Sequence, residues 1–183
     1  MALLNKVRYM AEDLWGTPDD GNRYEILNGQ LIMTPPPITE HQGASGTLHG
    51  YIWPHVHRHR LGKVFSAPVG VTLDDDNGLQ PDLVYVSSER SHIISRRGIE
   101  GAPDLVVEIL SPSTRRYDRG AKLRRYAAAG VPHYWIVDPR TRALEVYVLS
   151  GDSYELTGMH GPGSVFRPTL FPGLEIPIDD LWA

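Results

Sequence analysis

The chain has no cysteine. That excludes disulfides, thiolate chemistry and cysteine-rich zinc sites, and it fits a cytoplasmic protein. No uninterrupted apolar run approaches the roughly 18–20 residues of a membrane span, so no membrane association is expected. The first residues hold no long apolar segment followed by a small-residue cleavage site, so no secretory signal is expected either. A basic excess is also missing, since 18 Lys and Arg against 22 Asp and Glu give a net charge of -4. A protein that simply coats nucleic acid is usually basic. Any nucleic-acid role must therefore rest on a local patch. There is no Gly-x-x-x-x-Gly-Lys-Ser/Thr loop and no Gly-x-Ser-x-Gly elbow, so NTPase and α/β-hydrolase readings lack support. Internal repeats and low-complexity tracts are absent too. What remains is an ordinary globular composition, 41% hydrophobic and 22% charged, in 183 residues that suit one domain with a real core.

The 15 prolines and 18 glycines are spread along the chain and punctuate many short elements. Two short apolar runs between Arg23 and Thr34 flank Asn28-Gly29, a strong hairpin signal because both residues accept positive φ. A helix is expected from Thr39 to about His59, with Thr39 as its cap. Strands are expected over Lys63 to Ala67, Val69 to Asp74, Leu83 to Val86, Leu105 to Leu110, Tyr134 to Val137 and Leu144 to Leu149. Asp74 to Gly78 reads as a turn. Asp118 to Ala129, stopped by Gly130, is the best helix in the chain. The proline-punctuated tail, Pro168 to Ala183, reads as a surface wrap. Many strands and few helices suggest an α/β (α+β) fold, a mixed sheet flanked by helices with an N-terminal β-hairpin.

Glu108 is the most informative residue. Its strand has apolar residues on both faces, which indicates a strand covered on both sides. A carboxylate placed there loses hydration, at a cost of several kcal/mol unless a cation or hydrogen bonds replace the water. Asp82 follows Gln80-Pro81 at the entrance to another strand, a position where proline is tolerated. If the two strands are neighbours, Asp82 and Glu108 converge. Two close carboxylates repel, and a divalent cation relieves the repulsion. Hard oxygen ligands of this kind suit Mg²⁺ or Mn²⁺. Lys122, just beside the Leu123, Tyr126 and Ala127 stripe of the best helix, could reach toward the carboxylates, orient or help deprotonate a water, and offset phosphate charge. Taken alone it would read as a surface lysine.

Arg115, Arg116, Arg119 and Arg125 form a local basic cluster that could hold phosphates. The plainer reading is a solvated helix face. Glu25, His41 and Gln80 are accessory candidates near the carboxylates. His55, His57 and His59 would share a face on a strand but spread apart on a helix, where they are a surface feature.

Several blocks then carry a resemblance. They are Arg23-Tyr24-Glu25 with Asn28-Gly29, Gln80-Pro81-Asp82-Leu83, the run Ala102 to Thr114, Asp118 to Leu123 with Tyr126, Gly130-Val131, and Tyr134 to Pro139. With these the chain resembles the Uma-two family, a restriction-endonuclease-like branch of the PD-(D/E)xK nuclease superfamily, over about residues 9–182. The resemblance implies a Mg²⁺-dependent endonuclease, with DNA as the partner and Asp82, Glu108 and Lys122 as the catalytic set. It also implies one domain, 1–183, made of an N-terminal helix and hairpin (1–37), a nuclease core (38–150), and C-terminal strands and tail (151–183). The superfamily pattern places a lysine where this chain has Leu110, and Lys122 is the substitute. Cleavage of both duplex strands by a single-site chain suggests a homodimer, by analogy. Two alternatives stand beside this reading. One is a catalytically inactive nucleic-acid-binding or interaction protein on the same fold, and the other is a nuclease acting on RNA.

Overall fold

A computed structural model describes residues 7–183. Its strands are β1 (Arg23–Leu27), β2 (Gln30–Thr34), β3 (Gly62–Ser66), β4 (Val71–Asp74), β5 (Asn77–Leu79), β6 (Leu83–Ser87), β7 (Ile99–Glu100), β8 (Leu105–Ile109), β9 (His133–Asp138), β10 (Ala143–Ser150), β11 (Ser153–His160), β12 (Val165–Phe166) and β13 (Ile176–Pro177). The main sheet is mixed, in the order β11-β10-β9-β8-β6-β3, and β8 pairs parallel with β9 and antiparallel with β6. A second sheet runs β2-β1-β5-β4-β7, and β12-β13 form a small ribbon. The expected mixed α+β architecture and the hairpin at Asn28-Gly29 are both present, with φ of 53° and 70° at those two residues.

Two cores sandwich the main sheet. Leu105, Val107 and Ile109 of β8 face one core, while Val106 and the following Leu110 face the other. This is the period-2 alternation of a strand covered on both sides. The first core is covered by helix α1 (Thr39–His59), which buries Ala44, Leu48, Ile52 and Val56 at helical spacing. Ile38, not Thr39, is its N-cap residue, and Arg60 ends it in the left-handed conformation. The helix continues through Pro54 and holds the histidines, so His55 and His59 meet one turn apart while His57 stacks on Trp53.

Three expectations need correction. The tail does not simply wrap the surface, since Phe171, Leu174, Ile176, Ile178 and Leu181 are buried in the first core. Proline removes a backbone donor without preventing burial of its neighbours. The acidic turn is shorter than expected, because Asn77 already begins β5. The best helix starts earlier and is not uniform. It opens as one α turn (Arg115–Tyr117), widens into a π turn (Asp118–Lys122), and resumes as α over Leu123–Ala128. No helix among the described residues is long and apolar enough to cross a membrane.

Candidate active site

The antiparallel register Leu83↔Val107 places Asp82 directly across from Glu108. Opposite residues of paired strands share a face. Here that face belongs to the second core, toward the 115–128 helix. Asp82 and Glu108 are each only 1% exposed.

Asp82 is closely held. Its Oδ1 accepts from Arg23 Nη2 at 2.8 Å, and its Oδ2 accepts from the Ile109 backbone N–H at 2.7 Å. His41 Nε2 lies 3.2 Å from the same Oδ2. Burial alone would raise the Asp82 pKa, but the His41 contact, the Arg23 charge and the Ile109 amide outweigh it, and the group sits below the usual range. Arg23 comes from β1 and His41 from the first turn of α1.

Glu108 has the opposite setting. Its Oε1 accepts from Lys122 Nζ and from the Tyr126 hydroxyl, both at 3.1 Å. Lys122 Nζ also lies 2.9 Å from Glu25 Oε1 and 3.3 Å from Asp118 Oδ1. Burial pushes the Glu108 pKa well above the carboxylate range. Lys122 opposes the rise, while Asp118, Asp82 and Glu25 add to it. Burial would lower the Lys122 pKa, but Glu108, Glu25 and Asp118 more than reverse this and hold it well above the usual lysine value. Lys122 is thus a fixed ammonium, completely enclosed. Asp118 is raised chiefly by burial, against the opposing pull of Lys122 and Thr114.

Leu110, where the superfamily pattern expects lysine, is packed into the second core. Lys122 enters the same core from the helix, and its amine reaches Glu108. Asp118, Lys122 and Tyr126 all point inward, spaced four apart like neighbours on one helix face. Asp118 and Tyr126 were not anticipated as site residues, although that spacing was readable. Arg23 was visible only as part of a motif.

Glu25 joins the cluster directly, and the Gln80 backbone N–H donates to it at 2.8 Å. Three of the four cluster arginines are already engaged. Arg115 makes a two-pronged pair with Asp138 at 2.7 and 2.8 Å, and Arg119 makes one with Glu145 at 2.6 and 2.7 Å. Arg125 reaches Asn28 at 2.5 Å and Asp74 at 3.4 Å. Arg116 is exposed.

A cavity of about 250 Å³ opens on Asp82, Glu108, Arg23 and His41, walled by Pro36, Pro37 and the 111–114 turn. Lys122 does not line it. Among the described residues no three His, Asp or Glu side chains converge tightly enough to cage a metal as they stand. Mg²⁺, however, commonly takes one or two protein carboxylates and fills its shell with waters and substrate phosphate. The charge balance fits such an ion. Glu25, Asp82, Glu108 and Asp118 are four buried carboxylates, against the two permanent cations Arg23 and Lys122. His41 supplies a third positive charge when protonated. The remaining deficit must be met by protons or by a cation.

A family model named Uma2, described as "Putative restriction endonuclease", matches residues 12–179. Among solved structures, the chain is similar to one from Anabaena variabilis ATCC 29413, titled a putative nuclease belonging to DUF820. That likeness has a TM-score of 0.78 at 21% identity, covering 94% of this chain and 97% of that one. No curated protein matches.

Proposed function

From the premise that this chain belongs to the Uma2 family, whose model matches residues 12–179, we propose that it is a divalent-cation-dependent endonuclease that hydrolyses phosphodiester bonds in DNA. The observation that carries the reading is the Asp82–Glu108 pair, opposite each other on β6 and β8 at the floor of a cavity, in a buried cluster short of positive charge.

Asp82 and Glu108 would hold Mg²⁺ or Mn²⁺. When bound, the ion supplies Lewis acidity toward the phosphate and lowers the pKa of a coordinated water. The protein's own part is positioning. Arg23, His41 and the Ile109 amide fix the Asp82 carboxylate. Lys122 fixes Glu108 against Glu25 and Asp118, and as a permanent ammonium it steadies negative charge without taking up a proton. That makes it a positioning residue, not a general base. Arg23 also lines the cavity, where a guanidinium can face a phosphate oxygen. Both strands of a duplex would be reached by a homodimer.

The test is nicking of supercoiled plasmid with Mg²⁺ or Mn²⁺ by the wild type, Asp82→Ala and Glu108→Ala. Cleavage by the wild type alone is expected, and equal activity in all three would sink the assignment. A parallel assay on RNA decides the substrate. A second reading is a non-catalytic binding protein on this fold. It is favoured by the saturation of Asp82 with protein donors. Calorimetry at millimolar Mg²⁺ and Mn²⁺ separates the two, since that reading predicts no cation binding.

A further inference from the structure

Away from the carboxylates, the most exposed of the described tryptophan, tyrosine and phenylalanine side chains is that of Trp15. Trp15, in the short 3-10 turn Ala11–Gly16, is 58% exposed. The Arg97 guanidinium lies over it, 5.9 Å from the ring centroid. Both border a cavity of about 410 Å³ whose wall also carries Phe65, Arg96 and Gln80, with two arginines and no acidic side chain. The wall is closely packed. A Cβ at Gly98, beside Arg97, would fall 2.4 Å from the Gly70 carbonyl oxygen.

This cavity is linked to the candidate active site through shared lining residues. It shares Pro68 and Gln80 with a neighbouring cavity of about 400 Å³. That neighbour shares Arg23, Pro36 and Pro37 with the cavity that opens on Asp82 and Glu108. The result is a groove leading from the two carboxylates, past Arg23 and Gln80, to Trp15. Asp19 is the one acidic residue lining the middle section. Beyond Trp15 the wall turns acidic, with Glu12 and Glu100 in the next cavity.

We propose that this groove is a single-strand subsite, in which a nucleobase stacks on Trp15 while Arg96 and Arg97 hold the adjoining phosphates. The proposal rests on the reading of the protein as a nuclease. An open indole beside guanidinium groups is the chemistry that recognises single strands with little regard to sequence, because every base has a π-face. The section of the groove at Trp15 carries two arginines and no acidic side chain, which suits a phosphate chain. The change to Glu12 and Glu100 marks where the strand leaves the surface.

The experiment is fluorescence anisotropy with a labelled oligothymidylate in EDTA, where cleavage is suppressed, beside a closed-ended DNA hairpin. Wild type, Trp15→Ala, Trp15→Phe and Arg97→Ala are compared. Stacking is worth about 1–3 kcal/mol per base, so Trp15→Ala should bind the single strand about 5- to 150-fold more weakly. Trp15→Phe should keep most of the affinity, Arg97→Ala should weaken it, and hairpin binding should change little. The oligonucleotide should quench tryptophan emission in the wild type and not in Trp15→Phe. Trp15→Ala binding as tightly as the wild type, or a wild type that binds no single strand, overturns the subsite. Trp15-dependent binding in a wild type that cleaves nothing leaves the subsite standing and removes the nuclease. Asp82-dependent cleavage with Trp15-independent binding does the reverse.

Discussion

Asp82 and Glu108 occupy matched positions on neighbouring strands and are equally buried, yet their surroundings drive them apart. Asp82 meets a guanidinium, an imidazole and a backbone amide, and it stays ionised below the usual range. Glu108 shares a single ammonium with two other carboxylates, and it is held well above that range. Burial is therefore not what separates them. The number of donors per carboxylate is. The unmet demand for positive charge is concentrated on the Glu108 side of the cavity.

Removing Lys122 should break this comparison most severely. Lys122→Met leaves three buried carboxylates without their shared cation, and a loss of about 3–5 kcal/mol in unfolding free energy is expected from urea denaturation. Cleavage should vanish with it. A Lys122→Met protein as stable as the wild type would mean that protons alone balance the cluster.

Next comes Glu108→Gln. Cleavage should fall by on the order of 100-fold or more, but stability should not fall with it. Above the ordinary glutamate range the unfolded chain has released its proton while native Glu108 retains it. Metal-free wild type should therefore lose stability as pH rises through that window, until Glu108 itself ionises. Glu108→Gln should remove this slope. Because a cation must displace the proton, Mn²⁺ affinity of the wild type should rise with pH over the same window, by up to about tenfold per pH unit. Thermal melts and calorimetry at several pH values check both statements. A flat wild-type profile would contradict the raised pKa.

Asp82→Asn tests the other half. It leaves Arg23 without its charge partner, at a cost of about 1–3 kcal/mol, and should also abolish cleavage. Here the pH slope should run the opposite way, with stability present above the ordinary aspartate range and lost as pH falls through the depressed value of Asp82. The smallest effect is expected at the periphery. Arg119 is about one-third exposed, so solvent screening limits its pair with buried Glu145, and Arg119→Ala should cost about 1 kcal/mol. The Glu145 pKa is raised by burial but lowered further by Arg119, and the net shift is downward. That contribution should disappear in acid, as pH falls through the lowered Glu145 value. If Arg119 also contacts DNA, the same variant should flatten the salt dependence of binding.

Much of the fold was legible because its signals are local. Apolar residues on both faces of β8 announced a covered strand, Asn28-Gly29 announced a hairpin, and the long helix ran over Thr39–His59 as read. Asp82 and Glu108 could be singled out because a carboxylate in an apolar setting has few explanations. Their pairing could not be read, since it depends on β6 lying beside β8. Lys122 was placed by counting 3.6 residues per turn, and a π turn does not obey that count. Asp118 was missed as a site residue for a related reason, because helix-start acids are common and its burial is a tertiary fact. In the tail, prolines masked the apolar side chains of Phe171, Leu174 and Ile176, which complete the first core. The Trp15–Arg97 platform joins a residue of the 3-10 turn Ala11–Gly16 to one in the loop before β7, and no spacing in the sequence predicts it.

The π turn over Asp118–Lys122 has an evolutionary consequence. A π bulge is equivalent to one residue inserted into an α-helix. Arg115 lies before it, Lys122 ends it and Tyr126 lies after it. Deleting the single codon for Gly120, whose Cα faces open space, would let the helix close regularly. The turns on either side would keep their faces, because the wider turn had absorbed the extra residue. Every residue type of the motif would survive, with Asp118 and Lys122 three apart and still neighbours on one face. Relatives that differ by one gap at this point would therefore share both the motif and its charge balance, and an alignment that forbids the gap would miss the equivalence.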